Sequence, residues 1–188
     1  MTKLITFLTI PAVLLLLSGC ASTPVETGPS NIRGVKEFTL EPVKFENLTV
    51  DDLKEDDYKA KQSQNHLQAW EEDKDAIKSR FATSLIESAT KAGLTISDSA
   101  ASQRYTIHPV ISKIDTGYYR IPAWNAVTRI YMHLTVLDPS GKPVDETDVQ
   151  GSKSFDAIIA PDAGGRLRSS ATEIGEKYAR YLQKRTRP

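Results

Sequence analysis

Behind a single positive side chain, Lys3, the chain places an uncharged apolar run from Leu4 to Leu17, and beyond it polar and apolar residues are interleaved to the end. That run is shorter than the roughly 20 residues needed to cross about 30 Å of hydrocarbon as a helix, and no later segment matches it. The opening therefore predicts a removable secretory signal over residues 1–19. From Val35 to Val50 the apolar positions alternate in part, at Phe38, Leu40, Val43, Phe45 and Leu48, and Pro42 removes one ladder donor. This predicts a strand near a sheet edge, or a bulged one. Asp51 to Asn65 is polar and charged, and its first part, Asp51 to Asp57, reads as a solvated loop. Ile77, Phe81, Leu85 and Ala89 then recur every four residues ahead of Gly93, a helix with a glycine stop. Leu67 and Trp70 fit the same stripe, but Asp73 and Lys74 interrupt it, which leaves the start of the helix open.

A short strand follows over Leu94 to Ser97, then a longer one from Gln103 to about Asp115. Ile130, Met132, Leu134 and Val136 alternate with Arg129, Tyr131, His133 and Thr135, so one face of the next strand is apolar and the other largely polar. The turn chemistry of Asp138-Pro139-Ser140-Gly141-Lys142 joins it to a strand over Val144 to Phe155 as a hairpin. Leu167, Ala171, Ile174, Tyr178 and Leu182 lie at helical spacing, predicting a terminal helix from about Gly165 to Lys184. The sum is an α+β fold: a two-layer sandwich of a mainly antiparallel four- to five-stranded sheet with two helices on one face.

The residues that close the apolar run read Leu17-Ser18-Gly19-Cys20-Ala21, which resembles the lipobox of bacterial lipoproteins. The resemblance implies that the Cys20 thiol carries diacylglycerol, that the chain is cut before it and that the new amino group is acylated. Cys20 is the only cysteine, so no disulfide framework competes for it. Two or three acyl chains, at about 0.8 kcal/mol per buried methylene, make release very slow. In Gram-negative lipoproteins an Asp after the cysteine is the usual signal for retention in the inner membrane. Ala21 stands there, which implies the outer membrane, facing the periplasm. Residues 20–34, rich in Pro, Gly, Ser and Thr at their start, predict a flexible tether that leaves residues 35–188 as a single domain.

The element order, with Ala92-Gly93-Leu94-Thr95-Ile96-Ser97-Asp98 and Val136-Leu137-Asp138-Pro139-Ser140-Gly141-Lys142, resembles a group of small envelope α/β lipoprotein domains. They include the amino-terminal domain of the Tol beta-propeller protein, the lipoprotein activators of penicillin-binding proteins and the curli secretion lipoprotein. The resemblance is one of architecture and implies no catalytic motif.

Charge changes the picture little. The net charge of the chain is zero and falls to minus one when Lys3 leaves with the signal, so nothing steers nucleic acid toward it. Glu41 to Asp75 nevertheless holds eleven acidic and five basic residues, and Arg166 to Arg187 seven basic and two acidic; both read as solvated faces.

The chemistry on offer is sparse. His108 and His133 could meet across adjacent strands, but zinc needs three or four ligands, and no metal or other cofactor is expected. The acidic run Asp51 to Asp57 lacks the glycine turn and ligand spacing of a calcium loop. No Gly-x-Ser-x-Gly frames a serine, which sets a hydrolase aside. Ala163-Gly164-Gly165-Arg166 precedes the last helix, where glycines can admit an anion, yet without the P-loop lysine it reads first as a flexible joint.

Tyr118, Tyr119, Arg120 and Trp124, in a connection between two strands, are of the types enriched at hot spots. They form a partner-binding site or fold under and finish the core. The polar face bearing Arg129, Tyr131 and His133 is a second candidate surface. The function expected first is a non-catalytic binding or assembly module for an envelope protein or cell-wall partner. A carrier of a small apolar or lipid ligand, which needs a cavity of some hundreds of cubic ångströms, and self-association are the alternatives; the oligomeric state stays open.

Overall fold

The computed structural model describes residues 31–98, 104–117, 127–154 and 162–188. Among them lie seven strands and three helices: β1 (Glu37–Leu40), β2 (Lys44–Val50), β3 (Leu53–Lys54), α1 (Glu55–Lys59), α2 (Gln64–Lys91), β4 (Thr95–Ser97), β5 (Tyr105–Asp115), β6 (Val127–Leu137), β7 (Pro143–Ser154) and α3 (Ala163–Arg185). The fold is α+β, as the periodicities predict.

The sheet is mixed and has seven strands rather than four or five: its long β5–β6 and β6–β7 ladders are antiparallel, and short parallel pairings of β1 and β2 add to them. β1 pairs parallel with both β4 and β5, and β2 pairs parallel with β5. Only β2–β3, β5–β6 and β6–β7 are antiparallel. β5 is central, with β6 along one edge and β1 and β2 end to end along the other. The segment around Pro42 lies near a sheet edge, as expected: β4 reaches only Thr39 and β3 only Thr49 and Val50, and β2 is bulged against β5 between Phe45 and Thr49. Proline is tolerated because it falls in the break between β1 and β2, after Glu41 N has donated to Ile107 O at 3.0 Å. The run Asp51 to Asp57, read as a loop, instead contains β3 and the start of α1, elements too short to show a period.

The hairpin forms as predicted. Asp138 Oδ1 accepts from Ser140 N (2.8 Å) and Lys142 N (3.1 Å), while Gly141 adopts φ +83°. Ile130, Leu134 and their alternating neighbours on β6 are buried, and the opposite row is half-buried. β5 departs from strict alternation: a register shift between Ile111 and Lys113 brings Ile114 into the core beside Ile107 and Ile111.

Helices α2 and α3 pack on each other, and α3 also packs on β6 and β7. Their backbones come close at Gly175, where a Cβ would sit 2.8 Å from Leu85 N and 2.9 Å from Phe81 O. At the far end of α3, Tyr181 Oη donates to Asp145 Oδ1 at 3.1 Å and Arg185 Nη2 donates to the same oxygen at 2.7 Å. Burial, and then the Asp145 charge, push the Tyr181 hydroxyl up to about 12. The buried apolar side chains among the described residues form one cluster from Ile32 to Leu182.

Candidate functional site

A cavity of about 580 Å³ opens where the first turns of α2 and α3 meet the end of β5; its wall includes Tyr58, His66, Ala69, Trp70, Arg166 and Leu167. Sequence builds this corner in three steps. Asp162 caps α3 by accepting from Gly165 N, which places Gly164 and Gly165 in the first helical turn and rules out the flexible joint expected there. Asp73 then lies so close to Gly164 that a Cβ would meet its carboxylate at 2.5 Å, and it accepts from Arg168 Nη1 at 3.0 Å. Burial pushes the Asp73 carboxyl up; Arg168 opposes this, and Asp162 and Glu72 add to it. Trp70, 4 % exposed, tilts against the Tyr58 ring at 5.3 Å and donates to Glu55 Oε1 at 3.0 Å.

Arg166 is the unusual wall. It is 1 % exposed. Nε donates to Thr128 Oγ1 at 3.0 Å, and Nη2 reaches the carbonyl oxygens of Thr116 and Gly117 at 3.3 and 3.4 Å. Nη1 is buried and has no hydrogen-bond partner, and no carboxylate pairs with this guanidinium among the described residues. Thr116 is itself fixed by Asp51, which accepts from its N at 2.8 Å and its Oγ1 at 2.6 Å.

The sheet face carrying Arg129, Tyr131 and His133 exists, all three half-buried. Tyr131 Oη donates to Asp115 Oδ2 at 3.3 Å and Lys113 lies 5.9 Å from the ring; His133 Nδ1 lies 2.9 Å from Asp148 Oδ1. His108 stands on the adjacent strand, two pairs removed in register, but its Nδ1 contacts Glu41 Oε2 at 2.6 Å, so each histidine holds its own carboxylate. Among the described residues no group of three His, Cys, Asp or Glu side chains is placed to hold a metal ion. Tyr118, Tyr119, Arg120 and Trp124 lie outside the described residues, as does Cys20.

Trp70 and Asp73 escaped sequence reading as a site, and Arg166 entered it only within a glycine step read first as a flexible joint. Two signals pointed at them: the Gly164-Gly165-Arg166 step at a helix start, and the polar interruption of the α2 stripe at Asp73 and Lys74.

No family description matches the chain, and no curated protein matches it. Among solved structures, the PelC dodecamer of Paraburkholderia phytofirmans is similar at TM-score 0.46 and 11% identity, covering 88% of this chain and 98% of that one. A Xanthomonas campestris protein of the DUF330 family gives 0.46 and 8%, with 87% and 91% covered. A minor lipoprotein of Acinetobacter baumannii gives 0.39 and 12%, with 81% and 90% covered. All three values lie below 0.5, and each name describes that protein alone.

Proposed function

We propose that the chain is the precursor of an outer-membrane lipoprotein, anchored through Cys20 and tethered by residues 20–34, whose domain binds another envelope component rather than transforming one. The lipobox resemblance supports the anchor. The observation that carries the binding reading is the cavity beside Trp70 and Arg166: its volume falls in the range of small-molecule sites, and its lining sets Tyr58, Trp70 and Leu167 beside charged side chains, among them Glu72, Asp73, Asp162 and Arg168. That volume also meets the need of the second reading, a carrier for a small ligand. The aromatic segment Tyr118, Tyr119, Arg120 and Trp124, together with the face of Arg129, Tyr131 and His133, is proposed as the surface that meets a larger partner.

A photoreactive residue in place of Ala69, which is exposed on the cavity wall, tests this in the producing cell. The same residue in place of Lys91, exposed at the far end of α2, is the control. Capture of a defined envelope component from position 69 and not from position 91 is expected. Equal capture, or none, at the two positions counts against the cavity as the binding site.

A further inference from the structure

At one end of the molecule β1 and β4 start, α2 and α3 finish, and the β6–β7 hairpin turns. Gly34 N donates to Thr186 O at 2.8 Å, directly after α3, and Thr95 N donates to Lys36 O at 2.8 Å, just beyond α2. Ile32 is fully buried, so the chain is fixed to the domain at this end, and the residues leading back to Cys20 depart from it. The 11 residues from Ala21 to Asn31 reach at most about 40 Å.

The same end is basic. Arg33, Lys36, Lys91, Lys142 and Arg187 are all exposed. The acids beside them are engaged: Glu37 pairs with Arg104 at 3.1 Å, Asp145 is buried on Arg185, and Asp138 accepts from the backbone of its own turn. Glu87, Asp98 and Glu146 lie three or more residues further from the rim along α2, β4 and β7. The opposite end, which holds the cavity, exposes Asp56, Asp57, Glu72 and Asp162 beside Lys54 and Lys61. A negatively charged surface therefore attracts the end where the tether leaves and repels the other.

We propose that the basic end docks on the anionic phospholipid headgroups of the membrane that holds Cys20, which stands the domain upright with its cavity turned away from the bilayer. This rests on reading Cys20 as the lipid anchor. The attraction of a Lys or Arg to such a surface fades within a Debye length, about 8 Å at physiological salt. The basic end thus docks only while the lipid keeps it within reach; it orients the domain and does not replace the anchor.

The test uses the mature chain, purified from the membranes of the producing bacterium and reconstituted in vesicles of phosphatidylcholine, alone or mixed equally with phosphatidylglycerol. With the Cys20 thiol closed by its lipid, one added cysteine takes a donor dye. It is placed by Thr90→Cys near the basic end or by Gln64→Cys at the other end of α2, about 39 Å away at 1.5 Å per residue; both positions are exposed. Energy transfer to an acceptor on the lipid headgroups is measured. Phosphatidylglycerol is expected to raise transfer from position 90 and not from position 64, and about 1 M salt, which shortens the Debye length to about 3 Å, should abolish the rise. Lys36→Gln with Lys91→Gln should lower the ratio of docked to free domain about fivefold for each side chain. Lys54→Gln with Lys61→Gln, the same charge change at the far end, should leave that ratio unchanged.

If the chain floats with both kinds of vesicle but transfer from position 90 ignores phosphatidylglycerol, or rises no more than from position 64, the docking is overturned and the anchor stands. An equal loss from the two lysine pairs overturns it as well, since net charge then acts without a defined surface. A chain that fails to float with phosphatidylcholine alone lacks the anchor, and the docking falls with it.

Discussion

Asp145 holds the end of the chain to the sheet with a single carboxylate. Its side chain is 1% exposed and accepts from Tyr181 and Arg185, whose side chain is 7% exposed. Removing one partner of a buried pair strands the other, at about 3–5 kcal/mol. Asp145→Ala is expected to lower unfolding stability by that amount in urea, with Tyr181→Phe losing less because it leaves the ion pair intact; a change below 1 kcal/mol for Asp145→Ala would show that the pair is not the anchor. Glu55 works by titration instead. Burial pushes its carboxyl up, but hydrogen bonds from Lys74, Trp70 and Lys59 outweigh this and hold it at about 2, against an ordinary 4.5. A carboxylate held low in the folded state contributes stability above its unfolded value and loses it as pH falls toward the folded one. Between pH 4.5 and 2 the native chain is thus expected to lose stability more steeply than Glu55→Gln, as followed by thermal melts across that range.

At the scale of elements, the contact of α2 with α3 depends on the missing side chain of Gly175. Alanine there gains about 1 kcal/mol of helix propensity, yet its Cβ would meet the backbone of Phe81 and Leu85 at 2.9 and 2.8 Å, and overpacking of this kind costs about 1–3 kcal/mol. The net expectation for Gly175→Ala is a loss of stability in chemical denaturation, and an unchanged midpoint would mean that the helices can separate freely. The two charged segments of the sequence meet at this helix pair. Asp73 from the acidic one pairs with Arg168 from the basic one, so part of what reads as two solvated faces is one interhelical contact.

For the whole molecule, the proposed mooring and the fold carry separate predictions. No helix among the described residues is long and apolar enough to cross a membrane, and the buried cluster among them runs from Ile32 to Leu182. Attachment is accordingly expected to depend on Cys20 alone. Cys20→Ser in the producing bacterium should give a protein that folds with the same thermal midpoint but leaves the membrane pellet for the soluble fraction; full retention in the pellet would mean that another part of the chain holds it.

Periodicity alone determined α2, the β6–β7 hairpin and α3, because each is long enough for one face to repeat: Ile77 to Ala89, Ile130 to Val136, Leu167 to Leu182. The α+β class followed from their order. Strand direction did not, since Phe38 and Leu40 bury the same side chains whether β1 runs with or against β5. The bulge that turns Ile114 inward and the short elements β3 and α1 were equally hidden, being set by partners distant in sequence. The corner around Arg166 was decided by tertiary structure in the same way. A glycine pair at a helix start and an aspartate on an apolar stripe are ordinary when read singly, and only packing α2 against α3 closes water away from a guanidinium and leaves one of its nitrogens without an acceptor.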